Sequence, residues 1–247
     1  MALPLASAPR EPVAVPAAVR ALAADDDVTP VWRNQLGGLT FRLVGAAGTR
    51  YVKWVAHGTP ELDLAAEAER LAWATRYTAV PRVLGRGHDE DGAWLVTAAL
   101  PGRSAVDPAW KARPDEAARA IGAGLRALHD SLPVDACPFS WSAQERADRL
   151  DAAARERLGP IPAVDRLVVC HGDACAPNTL VADDGAPAGH VDLGTLGVGD
   201  RWADLATASM SLGWNYAGDH EAAFFAAYGI APDAERIAFY RHLWNLG

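Results

Sequence analysis

His171-Gly172-Asp173-Ala174-Cys175-Ala176-Pro177-Asn178, with Asp192 fourteen residues beyond the asparagine in Val191-Asp192-Leu193-Gly194, is the stretch on which the reading of this chain turns. Leu167-Val168-Val169-Cys170 runs into it, and Leu180-Val181 and His190-Val191 lie between its halves. Each of these is a short apolar run of strand type. Phosphoryl transfer needs a carboxylate that orients the attacking hydroxyl and oxygen ligands that hold Mg²⁺ against the phosphates. Asp173 suits the first task; Asn178 and Asp192 suit the second.

The composition narrows the alternatives. A chain of 247 residues can bury an ordinary core as one large domain or two small lobes. A net charge of −8 offers no broad basic surface to neutralise a phosphate backbone, so nucleic acid is not an expected partner. The same acidic balance suits a cationic small molecule. Cys137, Cys170 and Cys175 are odd in number and lack metal-ligand spacing, so reduced thiols in the cytoplasm are expected. Met1–Val28 lacks a basic start followed by an unbroken apolar stretch, and no run approaches the ~18 apolar residues of a membrane span.

Working outward, Leu39–Val44 and Arg50–Val55 flank Gly45-Ala46-Ala47-Gly48 and read as a hairpin. Pro60–Thr75 has helical periodicity, and further strands are expected at Arg82–Gly87 and Trp94–Ala98. Beyond Pro101-Gly102 the chain reads as helical. Pro114–His129 carries Ala117, Ile121, Leu125 and Leu128 on one face, and later helices are expected at Ala143–Leu158, Trp202–Leu212, His220–Tyr228 and Asp233–Leu246. The expected class is α+β. Residues 1–28 form a segment with one short helix over Pro16–Ala24 and a loose first dozen residues, 29–100 a small antiparallel β part with one helix, and 101–247 a mainly helical part.

Protein kinases place His-Arg-Asp, four residues, then Asn, and later Asp-Phe-Gly; the Asp-to-Asn interval of five is the same here, with Gly172 in place of Arg. From about Arg33 to Gly247 the chain resembles the aminoglycoside phosphotransferase family, most closely its kanamycin and neomycin 3'-hydroxyl branch. Val168–Cys175, Gly194–Arg201 and the closing Arg236–Arg241 carry the likeness. The resemblance implies a two-lobed protein-kinase-like fold with a nucleotide-binding N-lobe. It implies a cytoplasmic enzyme, monomer or dimer, that moves the γ-phosphoryl of ATP, or GTP, with Mg²⁺ to a hydroxyl of an aminoglycoside-type antibiotic, conferring resistance. It also implies that Asp173 is catalytic, that Asn178 and Asp192 hold the metal, and that Lys53 contacts the α and β phosphates. Glu67 is the expected partner of Lys53, Glu69 its rival on the same helix. Tyr51 is a candidate for stacking on adenine, and backbone groups near Ala98 to Leu100 for bonding its edge. Asp200 is expected to brace the catalytic loop, and Asp204 to start the next helix. His129 and His190 read as packing or surface residues.

Several positions depart from the family pattern. The Phe139–Cys170 stretch is short, the Arg, Asp and Glu that the family places by register in the helix from Asp204 are replaced by Met210, Ser211 and Trp214, and the acidic pair near the C-terminus is replaced by Trp244 and Asn245. Asp148, Asp151, Asp219, Glu221 and the Gly247 carboxylate are candidate replacements. Trp202, Trp214, Tyr216 and Trp244 are candidates for an aromatic wall, or for core. The alternatives are therefore a kinase of the same fold acting on another small natural product through a more aromatic pocket, and a nucleotide-binding pseudoenzyme.

Overall fold

The computed structural model describes residues 6–7, 9, 11–34, 36–59 and 63–246. The chain divides into two compact units, Met1–Thr75 with Pro81–Ala99, and Arg76–Val80 with Leu100–Gly247. The 76–80 segment, read from sequence as part of 29–100, joins the second unit, where the Ala79 carbonyl accepts from the His190 N–H at 3.1 Å.

The first unit runs β1 (Ala6–Ser7), α1 (Ala17–Ala23), β2 (Asp27–Asn34), β3 (Leu39–Gly45), β4 (Gly48–Ala56), α2 (Leu64–Ala74), β5 (Val83–His88) and β6 (Gly92–Ala98). Among the described residues the strands form one antiparallel sheet in the order β1-β2-β3-β4-β6-β5. The expected β3–β4 hairpin closes at Gly45 and Gly48. Alternation along β4 gives the sheet two faces. Val52 joins Phe41, Leu43 and Val96 against Val19 and Ala23 of α1, with Trp54 packed on that cluster. Lys53, one residue out of phase, meets α2 on the other side. The first dozen residues are not uniformly loose, because Ala6 and Ser7 pair with Asn34 and Arg33, where the β2 edge offers backbone partners. Pro60 and Glu61, where α2 was expected to begin, lie outside the described residues; Asp63 caps the helix by accepting from the Ala66 N–H at 2.9 Å.

The second unit runs β7 (Arg103–Ser104), α3 (Pro108–Lys111), α4 (Pro114–Ser131), α5 (Ala143–Arg149), α6 (Ala152–Leu158), β8 (Leu167–Cys170), β9 (Thr179–Val181), β10 (Pro187–His190), β11 (Gly197–Asp200), α7 (Trp202–Asn215), α8 (Glu221–Tyr228) and α9 (Ala234–Leu246). The α+β organisation expected from sequence is thus present, with the sheet in the N-terminal part and most helices in the C-terminal part. Proline at its first turn with Asp115 and Glu116 beside it suits the start of α4, and the expected apolar face is buried. α4 approaches α8 so closely that a Cβ on Gly122 would lie 2.3 Å from the Phe224 carbonyl oxygen.

One expected helix is two. The chain breaks at Leu150 (φ −72°, ψ 150°), and the Asp151 side chain caps α6 by accepting from the Ala154 N–H at 2.7 Å. An aspartate that can satisfy orphan N–H groups competes with helix continuation, which the apolar pattern does not register.

Candidate active site

Local topology explains the motif spacing. β9 and β10 form an antiparallel hairpin with His190 opposite Thr179, so Asn178, just before β9, and Asp192, just after β10, meet at its base. The Val191 N–H donates to the Asn178 carbonyl at 3.0 Å. Fourteen residues are therefore the length of a hairpin.

Asp173 follows β8, which is held by β11. The Asn178 side-chain amide donates to the Asp173 main-chain carbonyl at 2.9 Å and to its Oδ2 at 3.2 Å. That leaves the Asn178 side-chain oxygen as the atom to offer a cation. Oδ1 of Asp173 is enclosed and accepts no hydrogen bond. Burial, and then the nearby charge of Asp192, raise the Asp173 carboxyl above its usual range. Asp192 has φ 66°, a left-handed backbone that few residues other than glycine adopt and that is common where a side chain is held for function.

The loop is fixed from below. His171 is buried, its Nε2–H donates to the Val191 carbonyl at 2.9 Å, and its Nδ1 accepts from the Asp173 N–H at 3.3 Å, so one ring ties the Asp173 loop to the Asp192 loop. Gly172 stands where protein kinases carry Arg, and its φ is 85°. A Cβ there would lie 2.3 Å from the Thr195 carbonyl oxygen and 2.7 Å from Trp141 Cδ1. Only glycine fits that backbone.

The brace differs from the expected one. Asp204 accepts from the His171 N–H at 2.6 Å and the Gly172 N–H at 2.9 Å, whereas Asp200 accepts from the N–H groups of Asp165 and Trp202. Asp200 thus secures the approach to β8 and the start of α7, and Asp204 holds the catalytic loop. His129 is not bland either, since it bonds Asp204 and Tyr228.

In the first unit, Lys53 Nζ lies 2.7 and 2.9 Å from the two carboxylate oxygens of Glu67, which is 5 % exposed. Glu69 instead faces Arg86 at 3.7 Å on the surface. Tyr51 shares the Lys53 face of β4 by alternation. The Ala98 N–H donates to the Arg82 carbonyl at 2.9 Å, so Ala98 has only its carbonyl to offer a ligand.

The acceptor candidates separate. Trp202 and Tyr216 are core, with the Trp202 indole donating to Asp165 and the Tyr216 hydroxyl to the Ala105 carbonyl. Trp214 is 45 % exposed and its ring centroid lies 5.4 Å from that of Trp244. Ser211, one helical turn before Trp214, accepts from the Ala176 N–H at 2.9 Å, which places that face of α7 beside the catalytic loop. Asp148 accepts from Gln144 and Arg155, Asp151 caps α6, Asp219 accepts from the Glu221 N–H, and Glu221 pairs with Arg241. Gly247 lies outside the described residues.

Residues 27–240 match the phosphotransferase enzyme family. The chain belongs to that family. An aminoglycoside 3'-phosphotransferase of Streptomyces fradiae is 35 % identical over 245 residues, covering 84 % of this chain and 90 % of the relative. A streptomycin 3''-kinase of Streptomyces griseus is 34 % identical over 255 residues, covering 88 % and 91 %. A solved aminoglycoside phosphotransferase of Streptomyces rimosus, in complex with ADP and streptomycin, aligns with a TM-score of 0.70 at 31 % identity and covers 92 % of this chain and 95 % of that chain. The fold of this phosphotransferase-family chain is accordingly the kinase-like one. Because 84 % of 247 residues falls short of 245 aligned positions, the Streptomyces fradiae enzyme has segments without a counterpart here.

Sequence reading missed the loop-bracing role of Asp204 and the bonds of His129, and did not single out Trp141 or Arg146. Trp141 is buried, donates to the Gly172 carbonyl at 3.2 Å and carries the Arg146 guanidinium 4.1 Å above its ring. For Asp204 a signal existed: a lone acid within Trp202-Ala203-Asp204-Leu205-Ala206 must find buried partners.

Proposed function

We propose that the protein transfers the γ-phosphoryl group of ATP, or GTP, to a hydroxyl of an aminoglycoside-type antibiotic. The observation that carries this reading is the pairing of Asp173 with Asn178 at the base of the hairpin that also delivers Asp192. Two carboxylates in mutual repulsion, one with an enclosed unbonded oxygen, form a site that suits a cation. Among the described residues no three His, Cys, Asp or Glu side chains cluster to hold a metal alone. This fits Mg²⁺, which takes one or two protein ligands and completes its shell with phosphate and water oxygens. Asn178 and Asp192 would be those ligands. When bound, the ion supplies neutralisation of the charge developing on the phosphates.

The remaining roles belong to side chains. Asp173 holds the acceptor oxygen in line and takes its proton late in transfer. Lys53, kept charged and aimed by Glu67, binds the α and β phosphates. Tyr51 stacks on adenine, whose edge bonds the Ala98 carbonyl and the backbone of Leu100. Transfer would add up to about two negative charges to the antibiotic and spoil its fit to its target, which is resistance by inactivation. The similar Streptomyces enzymes, with their named activities on aminoglycosides and streptomycin, support the acceptor class. No helix among the described residues is long and apolar enough to cross a membrane.

A second acceptor reading rests on the exposed Trp214 with the half-buried Trp244 beside it, and on the internal bonds of Asp148 and Asp151. These favour a sugar or apolar face stacked on tryptophan over a purely ionic grip. Radiolabelled ATP with kanamycin, neomycin, a macrolide and a nucleoside antibiotic separates the two readings. Transfer to kanamycin or neomycin supports the first, and transfer confined to the others supports the second. Labelling of no acceptor despite nucleotide-induced stabilisation against heat would point to a pseudoenzyme.

A further inference from the structure

Asp204 is fully buried and collects three donors. They are the N–H groups of His171 and Gly172 and, at 2.9 Å, Nε2 of His129. Burial alone would raise its carboxyl, but these partners, His129 foremost, hold it below the usual range, so it stays ionised. A carboxylate only accepts, so Nε2 carries the proton; in the neutral ring Nδ1 then accepts from the Tyr228 hydroxyl, 2.8 Å away. Burial pushes the Tyr228 phenol up to about 12, which keeps it a donor. The line Tyr228, His129, Asp204 thus runs from α8 through α4 and α7 to the backbone that presents Asp173, and every polar atom along it is partnered.

We propose that His129 and Tyr228 are positioning residues for phosphoryl transfer, locking Asp204 onto the two N–H groups that open the catalytic loop. Neither touches the reacting groups. This rests on the reading of Asp173 as the acceptor-orienting carboxylate, and the test distinguishes the two.

Three variants of the full chain decide it: His129→Leu, His129→Gln, whose amide N–H replaces Nε2–H, and Tyr228→Phe. The measurements are kcat and KM for Mg-nucleotide and acceptor, and native-state hydrogen exchange of the His171 and Gly172 amides without ligand. His129→Leu should lower kcat at least about tenfold with both KM values within about threefold, and His129→Gln should recover most of that loss. Exchange at His171 and Gly172 should quicken about tenfold or more in His129→Leu, while Ile121 and Leu125 of α4 stay protected. Tyr228→Phe should lower kcat a few-fold in the same pattern, and it decides the matter if His129→Leu fails to fold. Unchanged kcat in Tyr228→Phe and His129→Leu, a loss that glutamine does not restore, or protection lost evenly along α4 would each overturn the proposal. Full turnover by Asp173→Asn would instead sink the functional reading and leave the exchange result standing.

Discussion

At Asp173 two requirements conflict. In the proposed role the carboxylate must be ionised to hold a hydroxyl proton, yet burial and the charge of Asp192 oppose ionisation. A divalent cation held by Asn178 and Asp192 would resolve the conflict by offsetting that charge. Asp173→Asn is expected to lower turnover by about three or more orders of magnitude while nucleotide affinity, followed by fluorescence titration, changes little. At Lys53 the partner choice matters. Glu67→Gln leaves a half-buried ammonium beside a neutral amide and should lower kcat/KM for nucleotide by about 10- to 100-fold. Glu69→Gln, on the surface, should change steady-state kinetics little. Equal effects of the two substitutions would show that the 2.7 Å pair has no role in nucleotide binding.

The β9–β10 hairpin and the α5–α6 break are decided at the level of elements. The hairpin converts a fourteen-residue separation into adjacency, and its partner loop depends on the left-handed Gly172. Gly172→Ala would drive a methyl into the Thr195 carbonyl, at a cost of about 1–3 kcal/mol or more; urea denaturation should show the loss, and turnover should fall with it. The break is governed by capping. Asp151→Ala removes the bond to the Ala154 N–H and should destabilise the second unit by about 1 kcal/mol in chemical denaturation, with kcat kept. A large fall in kcat with an unchanged midpoint would instead place Asp151 in acceptor binding.

Among the described residues of the second unit, His129, His171, His190 and Asp204 are buried together around the Asp173 loop. His190 is enclosed, and burial, followed by the neighbouring His171, lowers its ring to about 3. In the unfolded chain it titrates near 6.5, so between these values the unfolded state binds the extra proton and stability falls as pH falls. From pH 7 to pH 5 this one residue should remove about 2 kcal/mol, and denaturation curves of the native protein and of His190→Leu should converge in their pH dependence if another group is responsible. The two units differ in what holds them. The first is a sheet with α1 packed on the cluster of Val52 and Phe41, the second a helical body organised on α4 and α7 around buried polar bonds.

By itself the sequence determined what is local and periodic. The β3–β4 hairpin, the apolar face of α4 and the Asp173, Asn178 and Asp192 set are legible because turn chemistry, a 3.6-residue period and motif spacing act within a few residues of chain. Tertiary structure alone decided which acid braces the loop and that Trp202 is core while Trp214 meets solvent, whereas the glutamate beside Lys53 is the Glu67 expected from the sequence. Asp200 and Asp204, like the tryptophans, are near equals in sequence. Their roles diverge only when packing sets which of them loses water, because a buried charge must find donors and an exposed one need not.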